Sequence, residues 1–411
     1  MKSRQWTLGL LLLIVLIVYV ATLVEEGIAR PSEPAANFPV GDGIARPNEA
    51  AADFPVGDNL VLLGFAVLPL ALATMLRFVF RRLKLRESRG AARLILGNFL
   101  VFLVFCSVIL IVAEVYFRFF ADGSDSFGMS KVASHWSRRH VHVNEAGVRD
   151  SIEYSRGLQP GHRRITFIGD SFAFGDGVPD VEDRFANRIR AKHRDIDVHC
   201  FAHPGLDTGE HLKMIEHLGG KQSDVDFAFD VVVLVYVLND VDDILPEKIE
   251  MEGQFESRYR PGFLCSHSFF LNLLYFRCVV AQDPDFRDYD HLVVKGYDGY
   301  VWWVQQMRLR QMRDTVESLG GVFVVVTFPY LHELGADNRF RPAHQRLGEF
   351  WSSLGVRHLD LLEEFESHDP EELVVSAYDA HPNEKAHAIA AKAIAPFVVD
   401  ALRATSPRDA K

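Results

Sequence analysis

Cysteine is scarce. The 411 residues hold 4 of them, and no Cys-x-x-Cys pair occurs. This excludes a disulfide-framework mini-protein and leaves a zinc ribbon without ligands. An excess of basic charge is lacking too. Lys+Arg number 44 against 55 Asp+Glu, a net charge of −11, which argues against a nucleic-acid partner. Apolar residues are not lacking. At 48% hydrophobic the chain is no disordered polymer. Long apolar runs, however, are absent after residue 120. All of them lie before it, and they account for a mean hydropathy of +0.04, high for a chain with 24% charged residues.

There are three such runs, at 6–23, 60–76 and 94–113. Each has 17 to 20 residues without a charge, near the roughly 20 that a helix needs to cross a bilayer. The 77–93 loop carries Arg77, Arg81, Arg82, Lys84, Arg86, Arg89 and Arg93 against Glu87 alone. The positive-inside rule places that loop, and the N-terminus with Lys2 and Arg4, in the cytoplasm. The loop between the first two runs is acidic and belongs outside. The first run also has the shape of a secretory signal, but no small-x-small cleavage site follows it. On either reading the last part of the chain is extracytoplasmic, and periplasmic in a Gram-negative cell. Charge supports the division. Residues 1–120 net +3, and 121–411 net −14.

Inside the outer loop, residues 27–42 are followed by a near copy at 43–58, with 13 of 16 positions matching. The unit is rich in Pro, Gly and Ala without apolar periodicity, so it reads as an extended linker. Two copies are too few for a solenoid.

The layout expected is a membrane anchor over 1–120, a juxtamembrane segment over 121–160, a folded domain over 161–405 and a tail over 406–411. In that domain short β-branched runs alternate with helical patterns. Strands are expected at 164–168, 196–201, 230–238, 321–328 and 356–361. Helical patterns fall at 183–192, 207–219, 298–318, 340–353 and 384–403. This alternation predicts βαβ units and a parallel sheet with helices on both faces. Ligand sites in such sheets lie at the carboxyl ends of the strands.

Four segments that follow strands or precede the last helix form a set. The first strand runs into Gly169-Asp170-Ser171-Phe172. The second leads to Pro204-Gly205. The third ends in Asn239-Asp240. Asp379-Ala380-His381-Pro382-Asn383 stands before the last helix. A serine nucleophile needs a base, and the base needs an acid to orient its other ring nitrogen. A developing oxyanion needs donors, here the Ser171 and Gly205 N–H groups and the Asn239 amide. Each residue alone has a plain reading: Ser171 as a helix cap, Asn239 as an Asx-turn, His381 as a loop residue.

Together they resemble the SGNH hydrolase superfamily, the GDSL-type esterases and lipases. Membrane-anchored bacterial members are the closer likeness, with their Gly-Asp-Ser-Phe block and an upstream Asn-x-x-Gly-x-Arg-Asp element, here Asn144 to Asp150. The resemblance covers roughly 160–405. It implies a flavodoxin-like three-layer α/β/α sandwich and a Ser171–His381–Asp379 triad without metal or cofactor. It also implies ester substrates: a small molecule, or O-acyl groups of an envelope glycan or lipid. An O-acyltransferase using the same acyl-enzyme, or a non-catalytic scaffold in envelope polymer assembly, are the alternatives. Two positions depart from the pattern. Val237 replaces a glycine of the third block, and Tyr378 stands where an Asp-x-x-His spacing would put the acid.

Other residues bear competing readings. His199, His203 and Asp207, or Asp240, Asp242 and Asp243, could hold a metal in a phosphoesterase. That leaves Ser171 and Gly205 unexplained, and the acidic run reads more simply as a solvated loop. Trp302 and Trp303 read as core aromatics rather than a substrate groove. Cys265 and Cys278 flank one expected helix over 267–280, too far apart for a disulfide.

Overall fold

The computed structural model describes residues 56–84, 91–155, 157–158, 161–219, 227–335 and 337–405. The first apolar run, 6–23, lies outside them, as does the tandem repeat except its last three residues. Those three, Val56, Gly57 and Asp58, do not extend a linker. They open a helix.

Two long apolar helices come first, α1 (Val56–Lys84) and α2 (Ala91–Phe119). They pack against each other through Val61, Leu62, Phe65, Ala66 and Leu100. Among the described residues, most of their apolar surface stays uncovered. Only 28% of the most apolar stretch of α1 and 17% of that of α2 is buried, unlike a core helix, which loses its apolar surface to neighbours. Both are long and apolar enough to cross a membrane.

The domain beyond them is built on five parallel strands: β1 (Arg163–Gly169), β2 (Ile196–Ala202), β3 (Val231–Val237), β4 (Val322–Phe328) and β5 (Arg357–Asp360). Their order is β2-β1-β3-β4-β5, the 2-1-3-4-5 order of flavodoxin-like sheets. β3 sits in the middle and every residue in it is buried, which is why its sequence is continuously apolar rather than alternating. The chain runs outward from β1 to β2 and then reverses to β3. With right-handed crossovers that reversal puts the connecting helices on opposite faces. α3 (Phe185–Lys192) packs with the last helix, α9 (Glu384–Ala404), on one face. α4 (Thr208–Gly219) packs with α7 (Gly299–Ser318) on the other, and α8 (Arg341–Ser353) leads into β5.

Two features were not expected from the sequence. A two-stranded antiparallel hairpin, β6 (Val374–Ser376) with β7 (Asp379–Pro382), carries the last motif. The 267–280 stretch is a turn of helix, α5 (Phe263–His267), then α6 (Phe269–Cys278), split at Ser268, whose hydroxyl caps α6 by accepting from Leu271 N. The cysteines at 106, 200, 265 and 278 are free thiols.

The two pieces of the chain are joined by buried polar contacts. Glu114 of α2 accepts hydrogen bonds from Ser268 Oγ at 2.6 Å, Phe269 N at 3.0 Å and Phe270 N at 3.1 Å. Asp58 of α1 bridges to Lys131 Nζ and His267 Nδ1, both at 2.8 Å. Arg118 donates to the Asp58 carbonyl and to Asn59 Oδ1.

Candidate active site

β1 stops at Gly169, whose Cβ position would lie 2.7 Å from Ala173 Cβ and 3.0 Å from the Val235 carbonyl. Only glycine allows the chain to turn so tightly there. Asp170 then caps a single helical turn, Ser171–Phe174, by accepting from Phe172 N at 2.9 Å. That turn leaves Ser171 at the carboxyl end of the sheet, 8% exposed.

His381 arrives from β7. Its Nε2 lies 2.9 Å from Ser171 Oγ, and its Nδ1 lies 2.6 Å from Asp379 Oδ1. The His381 backbone N–H also bonds Asp379 Oδ1. Asp379 and His381 both lie on β7, two residues apart, so their side chains leave the same face of the strand and meet. Tyr378 takes another role. Its exposed ring carries the Arg277 guanidinium 3.6 Å from its centroid, and its carbonyl accepts from Ser126 N.

The other expected residues gather at the same sheet end. Gly205 lies in the turn after β2 with φ +78°, a left-handed conformation that suits glycine, and no atom crowds it. Asn239 follows β3 in the 3-10 turn Leu238–Ile244, and its side-chain amide bonds toward the Asp170 carboxylate. Val237, where the resemblance expects glycine, is fully buried and registers with Phe328.

The electrostatics follow from burial. Loss of water alone would lower the His381 pKa. The hydrogen bond and charge of Asp379, with Asp176 and Asp170 beyond, outweigh that and raise it to about 9. Burial opposes the charge of Asp379, but His381 and the Ser124 hydroxyl hold its pKa below the ordinary value. Burial pushes Asp170 up to about 6.

Three contributors escaped the sequence reading. Ser124, on the stem leaving α2, donates to Asp379 Oδ2. Ser126 Oγ accepts from Ala380 N at 2.9 Å. Asp176 is half-buried within the field of His381 and Asp379, and loss of water raises its pKa. Gly177, beside it, has φ +79°, and its Cβ position meets Val375, Asp379 and Ser124. No local pattern marks any of these.

Arg149 and Asp150 explain the upstream element. Arg149 donates to the carbonyls of Gly175 at 2.6 Å and Val178 at 2.5 Å, holding the loop that presents Asp176 and Gly177. Asp150 accepts from Arg184, Arg190, Asn187 and Tyr154.

The metal readings lead elsewhere. His199 is buried in β2 and stacks on Tyr154 at 4.2 Å; burial pulls its pKa down to about 3. His203 Nδ1 turns to the Pro204 carbonyl, and Asp207 accepts from Gly209 and Glu210 N–H. The acidic run is not a solvated loop. Asp240 and Asp242 are buried. Asp240 accepts from Val237 N, Asp242 from Tyr289, and Asp243 pairs with Arg308. The tryptophans divide. Trp302 packs on Tyr297 and Phe350, whereas Trp303 is exposed and stacks on Tyr300.

No family model matches the chain, and no curated protein matches it. Solved structures similar to it include a member of the lipolytic G-D-S-L family from Veillonella parvula. That one is 12% identical with a TM-score of 0.34, covering 58% of this chain and 98% of its own. A psychrotrophic esterase from a Pseudoalteromonas species is 13% identical with a TM-score of 0.35, over 59% and 99%. A lipase/acylhydrolase from Enterococcus faecalis is 12% identical with a TM-score of 0.32, over 60% and 100%. The side-chain geometry, not this likeness, supports the reading below.

Proposed function

We propose that this chain is a serine ester hydrolase held at a membrane by its N-terminal helices. The hydrogen-bonded series Ser171–His381–Asp379 carries the reading. Ser171 Oγ attacks the ester carbonyl as His381 Nε2 takes its proton. The oxyanion is held by the Ser171 and Gly205 N–H groups and the Asn239 amide. His381 then gives the proton to the leaving alkoxide, and an acyl-Ser171 ester remains. Water, deprotonated by His381, attacks that ester, and the acid leaves as His381 returns the proton to Ser171 Oγ. Asp379 keeps the proton on Nδ1 and stabilises the imidazolium. Esters on envelope glycans or lipids are the substrate class that an extracytoplasmic domain on such an anchor would meet.

The full chain in detergent should react with a fluorophosphonate probe and cleave short aryl esters. Ser171→Ala should abolish labelling and lower kcat by roughly 10⁴ or more. A folded wild-type protein that neither labels nor cleaves would sink the proposal and leave the scaffold reading.

A further inference from the structure

Among the described residues, nothing covers the outward face of the α5–α6 segment. α6 reads FFLNLLYFRC and is apolar on all sides. Its inner side is spent on the domain, where Phe269, Asn272 and Leu273 are buried. Yet Phe263, Leu264, Leu274 and Val279 remain 40–59% exposed. A helix apolar all round is normally enclosed by protein or by lipid.

The height of this segment along the apolar helices indicates which. His267 bonds Asp58 near the start of α1, and the next residue, Ser268, bonds Glu114 near the end of α2. Glu114 is 20 residues beyond Leu94, where the apolar stretch of α2 begins. At ~1.5 Å per residue that is about 30 Å, the thickness of a hydrocarbon core. On α1, Asp58 stands 19 residues before Arg77, about 28 Å away by the same rise. Both helices therefore leave the apolar layer at the level where α5 meets α6. Phe270 stacks on Phe117 of α2 at 5.6 Å, so the apolar surface is continuous from α2 onto α6. Arg260, exposed just before the segment, stands as a cation facing lipid phosphates does.

We infer that α5–α6 lies in the headgroup layer of the bilayer crossed by α1 and α2, so that the partner of this surface is lipid. This rests on the reading of α1 and α2 as spans. It has a consequence for the site. The inner side of α6, with Leu273 and Phe276, walls a groove of about 920 Å³ whose opposite wall includes Val374, Tyr378 and Asp379. The loop holding the triad acid is thereby placed beside the lipid surface.

The test uses the full chain in phosphatidylethanolamine–phosphatidylglycerol vesicles. The background carries Cys106→Ala, Cys265→Ala and Cys278→Ala, leaving only buried Cys200. An environment-sensitive thiol label is placed singly through Phe263→Cys or Leu274→Cys. Phe105→Cys on α2 and Glu349→Cys on α8 are the controls. Lipids with a quencher near the headgroup should lower emission at 263 and 274 by about half, and aqueous iodide should have little effect there. Position 349 should respond to iodide alone, and position 105 to a deep lipid quencher. Iodide quenching at 263 and 274, with 105 still quenched by lipid, overturns this inference and spares the anchor. Protection at 263 and 274 from both quenchers also overturns it, since a protein then covers the face. Failure of lipid to quench 105 removes the spans and the inference together.

Discussion

His381 faces Asp379 at 2.6 Å, with the carboxyls of Asp176 and Asp170 beyond it. Its pKa is raised from 6.5 to about 9, so the folded state holds an extra proton across that window. The stability this contributes is full below pH 6.5 and is lost as pH rises through about 9. Catalysis needs the neutral ring and runs the other way. We expect kcat/KM to climb with pH toward a midpoint near 9, while thermal stability declines over the same range. Asp379→Asn should move that midpoint down and lower kcat by roughly 10³–10⁴; rate profiles and melting curves on both proteins check this. Ser124 acts through Asp379. Removing its hydroxyl takes one charge-assisted bond from a buried carboxylate, worth ~1.5–3 kcal/mol. Ser124→Ala should therefore lower kcat about tenfold with KM unchanged, and Ser124→Thr should restore it. A change confined to KM, or no rescue by threonine, would remove Ser124 as a positioning residue.

The segment 144–150 works as one element. Asn144 closes its turn by accepting from Val148 N and Gly147 N, Arg149 clamps the loop after Ser171, and Asp150 ties the segment to α3. Burial would raise the Asp150 pKa, but bonds from Arg190, with Arg184 and Tyr154, bring it down to about 2 from 3.8. A depressed carboxylate stabilises the fold above its unfolded value and loses that contribution as pH falls. Unfolding by denaturant should show stability dropping between about pH 4 and pH 2. Asp150→Asn should flatten that drop while lowering stability at neutral pH. An unchanged acid slope would show that the cluster does not govern acid unfolding.

In the whole molecule the two apolar helices and the α/β domain are joined through Glu114 and Asp58. Glu114→Ala would leave Ser268 and two buried backbone N–H groups without their acceptor. Each such orphan costs about 1–3 kcal/mol, so we expect a lower melting temperature in detergent, with the loss centred on α6. Hydrogen exchange should report earlier opening of 263–282 than of the β-sheet. Equal protection of both regions in the variant would contradict this. The stem at 121–130 leaves α2 and reaches Asp379 within a few residues, so the chain just beyond α2 also supports the carboxylate that faces His381.

The five strands could be read from the sequence to within a residue or two, the central β3 most directly, because a strand buried on both faces must be continuously apolar. DVVVLVYVL at 230–238 shows it plainly. Ser171, Gly205, Asn239 and His381 could also be found, since each sits next to a strand or helix end whose local signal is strong. The pairing of Asp379 with His381 stood against the expected spacing, and only the unexpected strand β7 explains it, since residues two apart on a strand share a face. Ser124 lies 255 positions from its partner, and a serine in a loop carries no mark of what it will touch. The acidic run at 240–243 read as solvated because Tyr289 and Arg308, which pair with Asp242 and Asp243, are remote in sequence. Sequence alone determined what periodicity and turn chemistry control: the strands, the apolar helices and the residues at their ends. Tertiary structure decided which distant polar groups meet, because hydrogen bonds and charge fields depend on separation in space, and local composition does not record it.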